Sequence, residues 1–235
     1  MNAKLKRHFF YWVLPTSVIL TYVLMYFSGT PVLQSIIAPA FNRELGLLES
    51  TQHLLLVAVI VMAALGLRRA EVPIERLGYG LATGLAVFQL LEELNYGYHY
   101  LNALGLVTET GGVRWNIHNR GISTPMKTAG DLVLFFYFFL LPLCVRPDGP
   151  AWLRFLSPPR LLALTVLCSV AVSKFAHQLN EHAELSNHVL ESGVSEFRET
   201  FIYYVVLIYI RELVTNRRWP GWKGERGSPF KDQSA

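Results

Sequence analysis

The hydrophobic positions of this chain gather into six runs, centred on residues 9–28, 50–67, 77–91, 132–145, 161–173 and 200–210. Such runs are too long and too uniform for a soluble domain of 235 residues. A helix crossing a bilayer needs about 20 residues, because each adds only about 1.5 Å of rise. Extended to that length, the runs predict helices over about 9–28, 50–67, 77–96, 129–146, 160–180 and 195–213. The expected fold class is all-α, an integral membrane bundle of six transmembrane helices. An even number of crossings puts both termini on one side.

Basic residues choose that side, since Lys and Arg in short loops are retained in the cytoplasm. Of the 21 Lys and Arg, 15 fall in residues 1–8, 68–76, 146–160 and 211–235, against 6 in the alternate segments. Both termini are therefore expected to be cytoplasmic. Acids run the other way, with 11 of 17 in the opposite segments. Six of the seven histidines join them there, and only His8 stays with the basic set. The net charge of +4 is explained by this rim facing anionic headgroups, so nucleic acid is not an expected partner. Residues 1–224 read as one transmembrane domain and 225–235 as a flexible cytoplasmic tail, preceded by the basic and aromatic stretch Arg217, Arg218, Trp219, Trp222 and Lys223. The first run is longer than the core of a cleaved signal peptide and is expected to remain as an anchor. Cys144 and Cys168 lie in apolar context and read as buried small hydrophobes, not a disulfide.

Polarity enters the membrane where the apolar cores are too short. The fifth and sixth runs give only 13 and 11 apolar residues, so a full span draws polar neighbours to membrane depth. With Arg160 and Arg211 at the cytoplasmic ends, these recruits are Lys174, His177 and Glu181, and Glu196 and Glu199. The third run carries Gln89, Glu92 and Glu93 at its outer end. Helical spacing stacks Glu49 with His53; Gln89, Glu92, Tyr96 and His99; His177 with Glu181, Glu184 and His188; and Glu196, Glu199 and Tyr203. Ionisable groups at such depth cost several kcal/mol unless paired, hydrated or metal-bound, so a shared outer cavity is expected. The bland alternative for each residue is a solvated helix end, and for Asp131 a helix-start acid favoured by the dipole.

Mixed carboxylate and imidazole ligation suits a divalent metal such as zinc or iron. The expected ligands are Glu49, His53, His177, Glu181 and Glu199, with Glu92 or Glu93 as general base. His99, His118 and Arg120 are expected to bind substrate, and the loop over 102–130 to fold over the site as a lid. Residues 31–48 suggest an amphipathic surface helix, and the Gly80-x3-Gly84 spacing permits close helix packing.

Two resemblances bear on this site. His177 and His182 form a His-x4-His box similar to the first box of membrane desaturases and hydroxylases, but the further boxes are missing. Glu92-Glu93-Leu94-Asn95-Tyr96-Gly97 resembles the Glu-Glu-x-x-aromatic-Gly motif of a large group of uncharacterised bacterial polytopic inner-membrane proteins. Asn116-Ile117-His118-Asn119 is similar to the Leu-His-Asn motif that follows it there, and Glu49 to the acid opening that group's second span. Where the group has Gln-Arg after the Gly, this chain has Tyr98-His99. The resemblance implies a bacterial inner-membrane location and a site facing the periplasm, and brings no activity with it.

Three functions fit these residues. The first is a membrane-embedded, metal-dependent hydrolase or oxidoreductase acting at the outer leaflet on a lipid or lipid-linked substrate. The second is a non-catalytic subunit or assembly factor with membrane-protein partners. A cation- or proton-coupled transporter is the third, disfavoured because the cytoplasmic halves of the spans lack a polar relay and no inverted repeat is evident.

Overall fold

The computed structural model describes residues 3–40, 45–97, 101, 104–106, 123–146, 148–182 and 194–216. Among these the chain is all helical, with no strand. Helix α1 runs unbroken through Ala3–His8, the π-helical Phe9–Val13 and Leu14–Tyr26. A short helix α2 follows at Pro31–Ile37, then α3 at Leu47–Arg69 and α4 at Pro73–Glu93. Helix α5 combines Ser123–Val133, the π-helical Leu134–Leu140 and Leu141–Cys144. Helices α6 at Ala151–Leu156, α7 at Arg160–His182 and α8 at Glu196–Asn216 complete the described chain. Three helices are long and apolar enough to cross a membrane, namely Leu5–Tyr26, Leu47–Arg69 and Arg160–His182; Thr128–Cys144 is a shorter apolar stretch.

Contacts between side chains fix the direction of each long helix. Near one end of the bundle, Tyr22 of α1 meets Thr51 of α3 at 3.0 Å, and Gln89 of α4 reaches Tyr203 of α8 at 2.9 Å. At the other end Tyr11 of α1 bonds Glu212 of α8, and Tyr137 of α5 bonds Tyr209. Successive long helices therefore run alternately up and down. Helix α8 is central, packing against α3, α7 and α1, while α4 joins through its hairpin with α3. The core has two tiers. One gathers Tyr11, Ala63, Leu134, Leu162 and Tyr209 at the Lys/Arg-rich end, and the other Val23, Tyr26, Leu48, Phe197 and Phe201 at the opposite end.

Local chemistry explains where the helices start, stop and deform. Pro31 and Pro73 open α2 and α4, where a missing N–H costs nothing and φ is already helical. The end of α3 is closed by Arg76, whose Nε donates to the carbonyl of Ala70 at 3.1 Å. In α1, Leu14 N–H bonds to Phe9 and not Phe10, and Pro15 has no N–H to give Tyr11. Neighbouring helices fill both gaps: Tyr204 of α8 donates to the Phe10 carbonyl, and Thr165 of α7 donates to that of Tyr11 at 2.6 Å. The π segment of α5 is followed by Pro142, which likewise has no N–H for the residue four back.

Several expectations are revised. Helix α5 begins at Ser123, so Asp131 sits in its third turn and not at its start; there it pairs with Arg198 of α8 at 3.0 Å. Helix α4 ends at Glu93 and Tyr96 has φ of 56°, so the helical stripe does not extend from Glu92 to Tyr96. The surface helix over 31–48 reduces to Pro31–Ile37, with Ile37 buried. Added Cβ atoms at Gly80 and Gly84 would meet open space, whereas one at Gly66 would lie 2.7 Å from the Tyr79 ring. The close packing is at the α3–α4 hairpin, set by Gly66. Both cysteines are free, but Cys144 is exposed, on a face of α5 turned from the core. The expected tail at 225–235 lies outside the described residues.

Candidate functional site

Three helix ends meet on the side away from the basic rim: the start of α3, the end of α4 and the start of α8. Helix α3 packs against both of the others, so polar residues in its first two turns are covered from two sides. Glu49 is 2% exposed, Gln52 0% and His53 7%, and Glu92 at the end of α4 is 1% exposed. Glu196 of α8 is also buried, while Glu93 and Glu199 are half-buried.

A hydrogen-bonded frame holds these ends together. Gln52 Nε2 lies 3.1 Å from the carbonyl of Glu196, 3.3 Å from its carboxylate Oε2 and 3.3 Å from Thr200 Oγ1. Thr200 spends its own proton on the Glu196 carbonyl at 3.0 Å, so its hydroxyl meets Gln52 as an acceptor. Between α4 and α8, Gln89 Nε2 donates to Glu93 Oε1 at 2.7 Å and to Tyr203 at 2.9 Å, and Tyr203 donates to the same Oε1 at 2.6 Å. Glu93 Oε1 thus receives two donors, a pattern that suits a charged carboxylate. Tyr96 donates to Glu92 Oε1 at 2.5 Å. Its ring is 46% exposed although its partner is buried, so this phenol connects the outer surface to the interior carboxylate.

Helix dipoles treat the carboxylates unequally. Glu49 lies in the first turn of α3, and Glu196 and Glu199 in the first turn of α8, where the positive end of the macrodipole favours negative charge. Glu92 and Glu93 lie in the last turn of α4, where the dipole opposes it. Glu93 is compensated by Gln89 and Tyr203. The cluster therefore sets acids with different electrostatic environments side by side, the arrangement that separates an acid from a base.

The sequence-predicted residues divide between this cluster and elsewhere. Glu49, His53, Glu92, Glu93 and Glu199 are brought to the same three helix ends. His177 and Glu181 are not: both are exposed on α7, which packs on α8, α5 and α1. The reason is rotational, because the buried face of α7 is carried by Val172, Ser173 and Ala176, and His177 follows one residue later, about 100° around the helix. His99, His118 and Arg120 lie outside the described residues, as does most of the expected lid. Among the described residues no three His, Cys, Asp or Glu side chains are placed to hold a metal ion. With two of the five expected ligands turned away, the described donor set does not fit a zinc or iron centre. What it supports is proton transfer and hydrogen bonding by carboxylate, imidazole, amide and phenol groups.

Gln52 and Thr200 were not singled out by sequence reasoning. A signal existed for Gln52, an amide three residues after Glu49 on the same face of an apolar helix. Compared with family models, curated proteins and solved structures, the chain matches none.

Proposed function

We propose that this chain is a six-span protein of a bacterial inner membrane, with cytoplasmic termini, and an enzyme acting on a lipid or lipid-linked substrate at the outer leaflet. Helices α4 and α8, at 21 residues each, have the length of a span, and α5 joins them as the sixth. The up-and-down order of the long helices and the bias of Lys and Arg to one end support the crossing and its orientation. The observation that carries the enzymatic reading is Glu92: a carboxyl group almost wholly buried at a helix end, against the dipole, and touched by a phenol that reaches the surface. Burial of this kind costs several kcal/mol and is retained where the group works.

In this reading Glu92 exchanges the proton with the substrate and Tyr96 hands it to or from the outer surface. Glu93, fixed by Gln89 and Tyr203, supplies the standing negative charge, and Glu49 with His53 closes the far wall on α3. A substrate in the outer leaflet would enter between the ends of α3 and α4, beside the exposed Leu54 and Leu91.

The test is Glu92→Gln, which keeps shape and hydrogen bonding and removes proton exchange. Cells carrying it should show the same lipid profile as a deletion, with the protein still inserted. An unchanged profile with Gln at this position would remove the reading. A second reading, a non-catalytic subunit, is favoured by one observation: Lys174, His177, Gln178 and Glu181 form an exposed polar stripe on the outer turns of α7. In that case His177→Ala would abolish association with a membrane partner while leaving the lipid profile intact.

A further inference from the structure

A second polar feature lies at the opposite end of the bundle, far from the carboxylates. The end of α5, the short helix α6 and the start of α7 enclose a cavity of about 260 Å³. Its walls carry three guanidinium groups, Arg146, Arg154 and Arg160, on a floor of Pro142, Val145 and Pro158. Among the described residues no carboxylate lines it.

The sequence builds this cavity by interrupting the helices. Helix α5 stops at Cys144, and Ser157-Pro158-Pro159 separates α6 from α7, since neither proline can continue an α6 hydrogen-bond ladder. The chain therefore makes two sharp reversals within a few residues of each other. Arg160, the first residue of α7, turns back across the gap and donates from Nε to the Pro142 carbonyl at 3.3 Å. That contact orients the guanidinium plane while leaving its terminal nitrogens directed elsewhere. Buried Ser157 and Pro158 form the back of the cavity, and all three arginines remain accessible from its mouth.

Three like charges around one small space repel, and an anion between them converts that repulsion into attraction. Guanidinium forks match the oxygens of a phosphate better than those of any monovalent halide, because two parallel N–H groups meet two oxygens. The volume lies below the range of about 300–1,000 Å³ typical of pockets that enclose a whole drug-sized ligand. It suits a headgroup and leaves the rest of the molecule outside. Next to the mouth the surface is apolar: Leu143, one residue from Pro142, and Trp152, two residues from Arg154, are half exposed or more. Trp is the residue that settles at the boundary between acyl chains and headgroups. A soluble phosphate compound has no use for that apolar border, whereas a lipid does.

We infer that the cavity walled by Arg146, Arg154 and Arg160 is a binding site for the phosphate of an anionic phospholipid, with its acyl chains lying along α5 beside Leu143. This site is independent of the carboxylate cluster and of the function proposed for it. It acts on the cytoplasmic leaflet, where a bound lipid ties α5 to α7 across the α6 turn.

The experiment uses the full chain purified in micelles doped with phosphatidylglycerol or phosphatidylcholine, with bound lipid counted by native mass spectrometry. The expected result is retention of phosphatidylglycerol at least about tenfold over phosphatidylcholine, as loss of charge-assisted contacts would give. The double variant R146Q/R154Q should lose that preference, whereas R68Q/R69Q, which removes two exposed arginines from the same end of the bundle, should keep it. Equal retention of the two lipids by the unaltered chain would overturn the inference without any substitution. So would equal loss in both double variants, which marks diffuse surface charge. Displacement of phosphatidylglycerol by equimolar inorganic phosphate would also overturn it, since the site would then be one for soluble phosphate.

Discussion

Replacing Thr165 with Val should destabilise the fold by about 1.5 kcal/mol, and most of that loss should disappear when Pro15 is replaced by Ala. Thr165 is fully buried, and its hydroxyl donates to the Tyr11 carbonyl at 2.6 Å. Position 15 would normally supply that carbonyl with a helical N–H, and Pro15 has none. Val keeps the branched shape and removes the donor, leaving a buried acceptor that water does not reach. Such orphaned groups cost about 1–3 kcal/mol in soluble folds, while interhelical bonds in membrane bundles average about 0.6 and reach about 1.7 kcal/mol. The upper part of the membrane range is expected here because the acceptor is a backbone carbonyl inside the bundle and not a side chain free to turn away. In a Pro15→Ala background the new N–H can bond to Tyr11, so the hydroxyl becomes redundant. Reversible unfolding of the four chains by a titration of sodium dodecyl sulfate in mixed micelles measures the coupling. If Thr165→Val costs the same in both backgrounds to within about 0.3 kcal/mol, the hydroxyl is not filling the gap left by Pro15, and the reasoning fails.

Gly66→Ala should destabilise by about 1 kcal/mol, because a Cβ 2.7 Å from the Tyr79 ring brings an overpacking cost of about 1–3 kcal/mol against a helix-propensity gain of about 1. Gly84→Ala, where the added atom meets open space, should be neutral or stabilising in the same unfolding assay. Asp131→Asn should change stability by less than about 1 kcal/mol, since the pair with Arg198 is partly exposed at both partners; a loss of several kcal/mol would show a buried role for the pair. For topology, an impermeant maleimide added outside intact cells should label a cysteine placed at Asn187 and spare one placed at Asp148. The opposite pattern would turn the carboxylate cluster to the cytoplasm.

The long helices were legible because their apolar runs are long, and the ends were less so. Ser123–Gly130 reads as loop by composition, yet it belongs to α5, where Asp131 is held by Arg198. The depth of Glu49, His53 and Glu92 followed from runs too short to span without them. Which way a depth-matched residue faces did not follow, as His177 and Glu181 show. Spacing along one helix says which residues share a side, not which side the neighbours cover. Tyr96 illustrates the same limit for backbone: its reach to Glu92 depends on a left-handed turn that a bulky residue seldom adopts.

The central position of α8 has a consequence for how the protein is made. A ribosome delivers α3 and α4 to the membrane long before α8, so Gln52, Gln89 and Glu93 enter the lipid without the Glu196, Thr200 and Tyr203 groups that later bond to them. Until the last helix arrives, the nascent bundle carries polar side chains that only water or a chaperone can shelter. Insertion of α8 is thus the step that both closes the bundle and completes the cluster. A chain stopped before residue 196 would be seen by the cell as unfinished, and degraded, however well its first helices had inserted.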